Sequence, residues 1–417
     1  MNRWAIGTLA AGMAGAGIFA TALAIRDPIT YHDEVSRVIQ NNCQVCHREG
    51  GVGPFPFQTY QDVYARRGMI EYVVQNRIMP PWFADPDIGN FANDRSLAPE
   101  DREILLQWIA NGAPEGDAAD APERRNWMPG WSLGEPDATV MIPEPFAVPA
   151  EGVVDYQYLY VKTDFPEDKW ITAMEIQPTD LSIVHHVLVL IEPPGAKSPR
   201  DAAPGEPVFR GGIDGYFGVW VPGFQGNVYP SGSAKLLPAG SWLKFQMHYT
   251  PNGVEGIDQT VLGFHFADGP PERVVETSSA FNARFEIPAR NPDFSAAGEY
   301  TFERSGTLLT LFPHLHLRGK RFRFDLIYPD GQETPILNVP RYDFNWQLNY
   351  QLDEPIRVEP GMILRATGTW DNSHNNPFNP DPTAVVHFGE QTFEEMMIGY
   401  FDWIPETRDG GVAAGSR

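Results

Sequence analysis

Trp242-Leu243-Lys244-Phe245-Gln246-Met247-His248-Tyr249 is a short alternating run of strand character. Apolar and polar residues that alternate with period two give a strand its two faces. Similar runs recur on both sides: Val154 to Val161, His185 to Ile191, Val261 to Phe266, Arg321 to Tyr328 and Met362 to Thr369. Gly, Pro, Asn and Asp break the chain between them, the punctuation of β-sandwich or jelly-roll domains. About 250 residues is a long stretch for one sandwich. Two tandem all-β jelly-roll-like sandwich domains, 151–270 and 271–405, are the more economical expectation. The 417-residue chain holds 39 Gly and 39 Pro, which suits a loop-rich, mostly β protein. A net charge of −23 excludes nucleic acid as a natural partner.

Upstream the pattern changes. Arg3 precedes an uncharged, small-residue apolar run from Trp4 to Ile25, and Ala22-Leu23-Ala24 is an A-x-A cleavage pattern. Residues 1–24 therefore read as a signal peptide, with an N-terminal anchor as the alternative. Either places the rest of the chain in the periplasm or elsewhere outside the cytoplasm. Residues 118–150, rich in Pro, Ala, Asp and Glu, read as a linker, and 406–417 as a disordered tail.

The only two cysteines fall in Cys43-Gln44-Val45-Cys46-His47, the C-x-x-C-H pattern of covalent haem c attachment. Two thiols add to the haem vinyl groups, and His47 becomes an axial iron ligand. Met79, in Ile78-Met79-Pro80-Pro81-Trp82, is the second axial candidate, a ligand type that raises the iron potential and suits electron transfer. Helical spacing predicts helices over His32 to Asn42, Thr59 to Arg77 and from Pro99 to Asn111-Gly112, with Met69 in the core. Through its CQVCH, MPPW and WIANGAP elements, the segment 30–117 resembles small bacterial class I-type cytochrome c domains. The resemblance implies a small all-α domain.

The remaining histidines carry a second signal. His314-Leu315-His316 places two imidazoles on one face of a strand, where both can reach one ion. His185-His186 are neighbours and can share a metal only at a bulge, a twist or a strand end. His248 lies in the strand quoted first, and Met396 in Phe393-Glu394-Glu395-Met396-Met397 near the end of the β region. Imidazole with thioether favours copper over zinc, magnesium or calcium. His32, His265, His374 and His387 receive no role.

The order HH, a His about 60 residues later, HxH, then a late Met after two acidic residues resembles the copper type II, ascorbate-dependent monooxygenases. That family includes peptidylglycine α-hydroxylating monooxygenase and dopamine β-monooxygenase, and the match covers about residues 150–405. The resemblance implies one copper in each of two sandwiches facing a solvent cleft. It assigns His185, His186 and His248 to the electron-storing copper and His314, His316 and Met396 to the oxygen-binding, catalytic copper. Met397 competes with Met396 for the sulfur role. Phe312 and Ile398 stand where the peptide-amidating member carries peptide-contacting residues, so a smaller or more apolar substrate is expected; Tyr400 keeps an aromatic hydroxyl.

The implied activity is hydroxylation of a small organic substrate by O2 with two copper ions. Electrons would arrive through the fused haem c from an external donor, whether a redox protein, a quinol chain or an ascorbate-like reductant. The alternative is a haem–copper protein that relays electrons or carries out heteroatom oxygenation, reduction or peroxygenation.

Overall fold

Alternating apolar residues pair the β region into mostly antiparallel strands. The computed structural model describes residues 28–127, 130–197, 203, 215–223 and 226–406; the expected signal peptide and nearly all of the expected tail lie outside them. Four sheets dominate, one of six strands and three of four. The first joins Ala138–Met141, Val261–Phe266, Lys169–Gln177 and Ser233–Leu237, with two short strands at its margins. The second orders Gln157–Lys162, Trp242–Tyr249, Val184–Glu192 and Tyr216–Trp220. The third orders Glu276–Phe281, Ile398–Pro405, Gly306–His314 and Tyr350–Val358. The fourth orders Phe294–Thr301, Ile363–Trp370, Gly319–Ile327 and Glu333–Val339.

The cores follow from strand alternation. Val187, Val189, Leu243, Phe245 and Met247 turn to a core shared with the first sheet. Their neighbours Leu188 and Leu190, with Tyr156 and Tyr216, turn the other way, into the core of the third and fourth sheets. Leu309 and Ile404 of the third sheet reciprocate by entering the first core. The second sheet is therefore buried on both faces, and the halves of the β region share a wall. The chain crosses between them at Val275, between a strand of the first sheet and one of the third.

The expected fold class, a small all-α cytochrome c domain followed by two tandem jelly-roll-like sandwiches, is corrected here. The protein is one mostly β body, and no sizeable all-α domain exists among the described residues. The four α-helices among the described residues are Ser36–Asn42, Tyr60–Ala65, Arg67–Gln75 and Pro99–Ala110, the longest of twelve residues. They enclose a small cluster around Val35, Ile39, Leu105 and Trp108. The chain between them leaves that cluster, and Trp82, Phe83 and Phe91 enter the β core instead. The single helix expected over Thr59 to Arg77 is broken at Arg66 (φ −111°, ψ 9°). The expected linker also carries sheet: Ala138–Met141 pairs with Val261–Phe266 and Phe146–Val148 with Gly256–Asp258. Strands of three or four residues are too short for alternation to stand out in a Pro-rich stretch.

Candidate metal centres

The first cluster is made by a defect in a strand. Along the pairing of Val184–Glu192 with Trp242–Tyr249, Val184 lies opposite Tyr249 and His186 opposite His248, so His185 is an extra, bulged residue. A bulge turns two consecutive side chains to one side. The geometric demand posed by adjacent histidines is met there: Nδ1 of His185 lies 3.0 Å from Nδ1 of His186 and 3.1 Å from Nδ1 of His248. Among the described residues these three form a group that could hold a metal ion, with donor atoms that all lie within 4.8 Å of one another.

The ring orientations are fixed from behind. The Asn345 amide donates through Nδ2 to Asp343 (2.9 Å), which turns its Oδ1 toward Nε2 of His185 at 2.7 Å. An amide oxygen only accepts, so His185 donates from Nε2 and keeps its Nδ1 lone pair for the cluster. Burial pushes His248 down to about 3, helped by His185. Burial also drives His186 well below the ordinary histidine range, with His248 and His185 adding to it, and it lowers His185. Neutral imidazoles with converging lone pairs are the donor set a cation needs.

His314 ends its strand and His316 follows two residues on. Tyr342 Oη bridges the backbone of the intervening Leu315, accepting from its N–H (3.0 Å) and donating to its C=O (2.8 Å). The two imidazole centroids are 5.2 Å apart. Nδ1 of His314 meets Oε1 of Gln347 at 2.6 Å, and Nδ1 of His316 meets the Glu394 carbonyl at 3.2 Å. Both rings therefore leave Nε2 for a metal. Burial pushes His314 down to about 4 and His316 to about 3. The acidic pair before Met396 has a structural task. The Glu395 carboxylate accepts from the N–H groups of His316 (2.9 Å) and Arg318 (2.7 Å) and from Trp370 Nε1 (2.8 Å). Even so, burial raises it to about 7.

Both late methionines are buried. A Cβ placed on Gly368 would meet Leu315 at 2.8 Å and Met397 at 3.0 Å, so Met397 lies with Leu315 beside Gly368. Leu315 alternates with the two histidines, so this favours Met396 as the sulfur donor.

The two clusters are not separated by an open cleft. The Tyr156 ring lies 5.7 Å from His186, 5.1 Å from His248 and 6.3 Å from His316. Phe344 lies 5.8 Å from His186, 5.5 Å from His248 and 6.3 Å from His316. His186, His314 and His316 are 1%, 2% and 1% exposed. Phe312 and Ile398 are buried, and the rings of Phe312 and Tyr400 lie 6.5 and 6.4 Å from His314.

Cys43, Cys46, His47 and Met79 line one cavity of about 980 Å³ with apolar walls that include Ile39, Val73 and Leu105. The cysteines are free. Nδ1 of His47 lies 3.1 Å from the Phe55 carbonyl, so it donates there and turns Nε2 inward. Gly53 permits this: a Cβ there would come within 2.7 Å of His47 Nδ1. The β region closes the cavity, with Gly223 so near Cys46 that a Cβ would lie 2.9 Å from its sulfur. A cavity of this size, two thiols and two axial candidates fit a covalently held haem. Met69, expected in the core, is 43% exposed and lines this cavity.

Sequence reasoning missed Tyr156, Asn345, Gln347 and Phe344, since contacts set by tertiary packing leave no spacing in the chain. His387, expected in an apolar setting, is exposed; His374 is exposed as well.

No family model matches the chain, and no curated protein matches it. Among solved structures it is similar to the major capsid protein P2 of bacteriophage PM2, at 10% identity and TM-score 0.28 over 66% of this chain and 100% of that one. It is also similar to infectious bursal disease virus, Gx strain (7%, TM-score 0.20, 64% and 73%) and to allantoicase (7%, 0.16, 56% and 83%). Likeness at these TM-scores carries no argument about fold or function.

Proposed function

We propose that the chain is a copper-dependent monooxygenase that hydroxylates a small organic substrate with O2 and receives electrons through a covalently attached haem c. The observation that carries the reading is the meeting of two imidazole groups around Tyr156 and Phe344. One group converges through Nδ1 (His185, His186, His248); the other leaves Nε2 free (His314, His316).

Copper bound at these nitrogens supplies one-electron chemistry toward O2, and haem supplies electrons singly. The chain's own residues do the rest. His185, His186 and His248 hold one ion; His314, His316 and Met396 hold the other. Asn345, Gln347 and the Glu394 carbonyl fix the tautomers, which sets where each lone pair points. Tyr156, Phe344 and the buried shell exclude water. Phe312 and Tyr400 beside His314 favour an apolar substrate. Cys43 and Cys46 tether the haem, while His47 and Met79 ligate it. The electron donor is external, and the working compartment is outside the cytoplasm. Among the described residues, no helix is long and apolar enough to cross a membrane.

Near-complete burial of His186, His314 and His316 favours a second reading, a haem–copper relay that passes electrons without oxygenating a substrate. A substrate screen by O2 uptake on the haem- and copper-loaded chain, followed by product analysis with labelled O2, separates the two. Labelled product is the expected result. Uptake without label in any product, or zinc in place of copper on metal analysis, overturns the monooxygenase.

A further inference from the structure

The segment Asp343-Phe344-Asn345-Trp346-Gln347 touches three centres at once. Asn345 Oδ1 receives the His185 Nε2–H at 2.7 Å. Gln347 Oε1 receives the His314 Nδ1–H at 2.6 Å. Trp346, covalently between them, lines the cavity that also holds Cys46, His47 and Met79. The segment is held from within: the Trp346 N–H donates to the Asp343 carbonyl at 2.9 Å, and Gln347 Nε2 to the Phe344 carbonyl at 3.3 Å. A few residues on, it is tied to the cavity wall, where Asn93 Nδ2 donates to the Asn349 carbonyl (2.6 Å) and the Gln351 N–H to Asn93 Oδ1 (3.0 Å).

We infer that this five-residue segment, with Trp346 as its cavity-side end, is the electron bridge from the haem site to the histidine clusters. The inference rests on the haem–copper reading above. From the Trp346 ring to His185 the connection is covalent except for one short hydrogen bond, and the same holds from Trp346 to His314. Trp346 is the only one of the five residues to line the cavity. The step is a bare one-electron transfer. The iron held by His47 goes from +2 to +3 as the copper held by His185 goes from +2 to +1, and no proton or leaving group moves. One aromatic side chain at a fork explains how a single-electron carrier can serve two one-electron acceptors.

The experiment uses the full chain loaded with haem and copper. A flash-generated one-electron donor reduces the haem, and its reoxidation is followed in the visible spectrum while copper is followed by electron paramagnetic resonance. No substrate turnover is needed. In the unaltered chain, reoxidation is expected at a rate independent of protein concentration. Trp346→Leu should slow it severalfold with the haem and cupric spectra unchanged, and Trp346→Phe, which keeps a ring, should fall between. Trp346→Leu transferring as fast as the unaltered chain overturns the bridge and leaves the proposed function standing. Failure of the unaltered chain to transfer overturns both. Should Trp346→Leu not retain haem, Asn345→Ser decides: it breaks the bond to His185 without touching the cavity and leaves the Gln347 arm to His314 intact. Reduction of the His185-cluster copper, followed by its paramagnetic resonance signal, should slow severalfold; reduction of that copper at an unchanged rate again overturns the bridge.

Discussion

Nδ1 of His314 lies 2.6 Å from Oε1 of Gln347, and the Gln347 amide is held in that sense by its own bond to the Phe344 carbonyl. The ring is thereby committed to presenting Nε2. Gln347→Leu removes the acceptor and leaves a buried N–H unpaired. Copper affinity of the His314/His316 cluster should fall by about 10–100-fold, with the His185 cluster nearly unaffected. Copper titration of the purified chain checks both halves of that expectation.

The depressed histidines make a pH prediction for the metal-free chain. His248 and His316 are held at about 3 and His314 at about 4, against about 6.5 for an unfolded histidine. Between those values the unfolded state binds more protons than the folded one, so stability rises with pH across that window. Metal-free protein should lose stability steadily as pH falls from about 6.5 toward 4, and be indifferent to these groups above about 7. Thermal unfolding across pH measures the slope. His316→Asn should flatten it.

Gly53 sits where a methyl group would strike His47. Gly53→Ala should displace the imidazole from the Phe55 carbonyl and disturb axial ligation. The expected outcome is an altered haem absorption spectrum and a shifted reduction potential with haem still covalently attached. An unchanged spectrum and potential would show that His47 is free to move.

Lys235 and Asp402 form an ion pair across the shared wall between the halves, with Nζ to Oδ1 3.1 Å and side chains 6% and 7% exposed. Lys235 also donates to the Phe217 carbonyl, and Thr277 hydrogen-bonds Asp402. Breaking a buried pair from one side strands a charge, so Lys235→Met should destabilise the chain by about 3–5 kcal/mol. The double variant Lys235→Met with Asp402→Leu should recover much of that loss, as read by denaturant unfolding.

What the sequence made legible was local. Cys43 to His47 and His314 to His316 stand out as candidate ligand sets because such sets are defined by spacing along a few residues. The strand character of Trp242 to Tyr249 follows from alternation, and the structure has a strand over those residues. The expectation of two tandem sandwiches failed because alternation says which residues face inward but not which core they enter: Leu188 and Val189 are equally apolar and serve different cores. The independent helical domain failed for a related reason, since Trp82 and Phe91 carry no mark of the body they join. Asn345 and Gln347 were invisible because hydrogen bonds between residues 160 and 33 positions apart leave no trace in a single chain.

The bulge at His185 has a consequence for how such a site can arise or be lost. In an unbroken strand, consecutive side chains alternate, and His185 would turn away from His186 and His248. The cluster is thus written in the count of residues as well as in their identity. Deleting the one residue between Val184 and His186, His185 itself, would restore the ladder and dismantle the cluster, and a His-His pair transplanted into a regular strand would offer one nitrogen where this chain offers two.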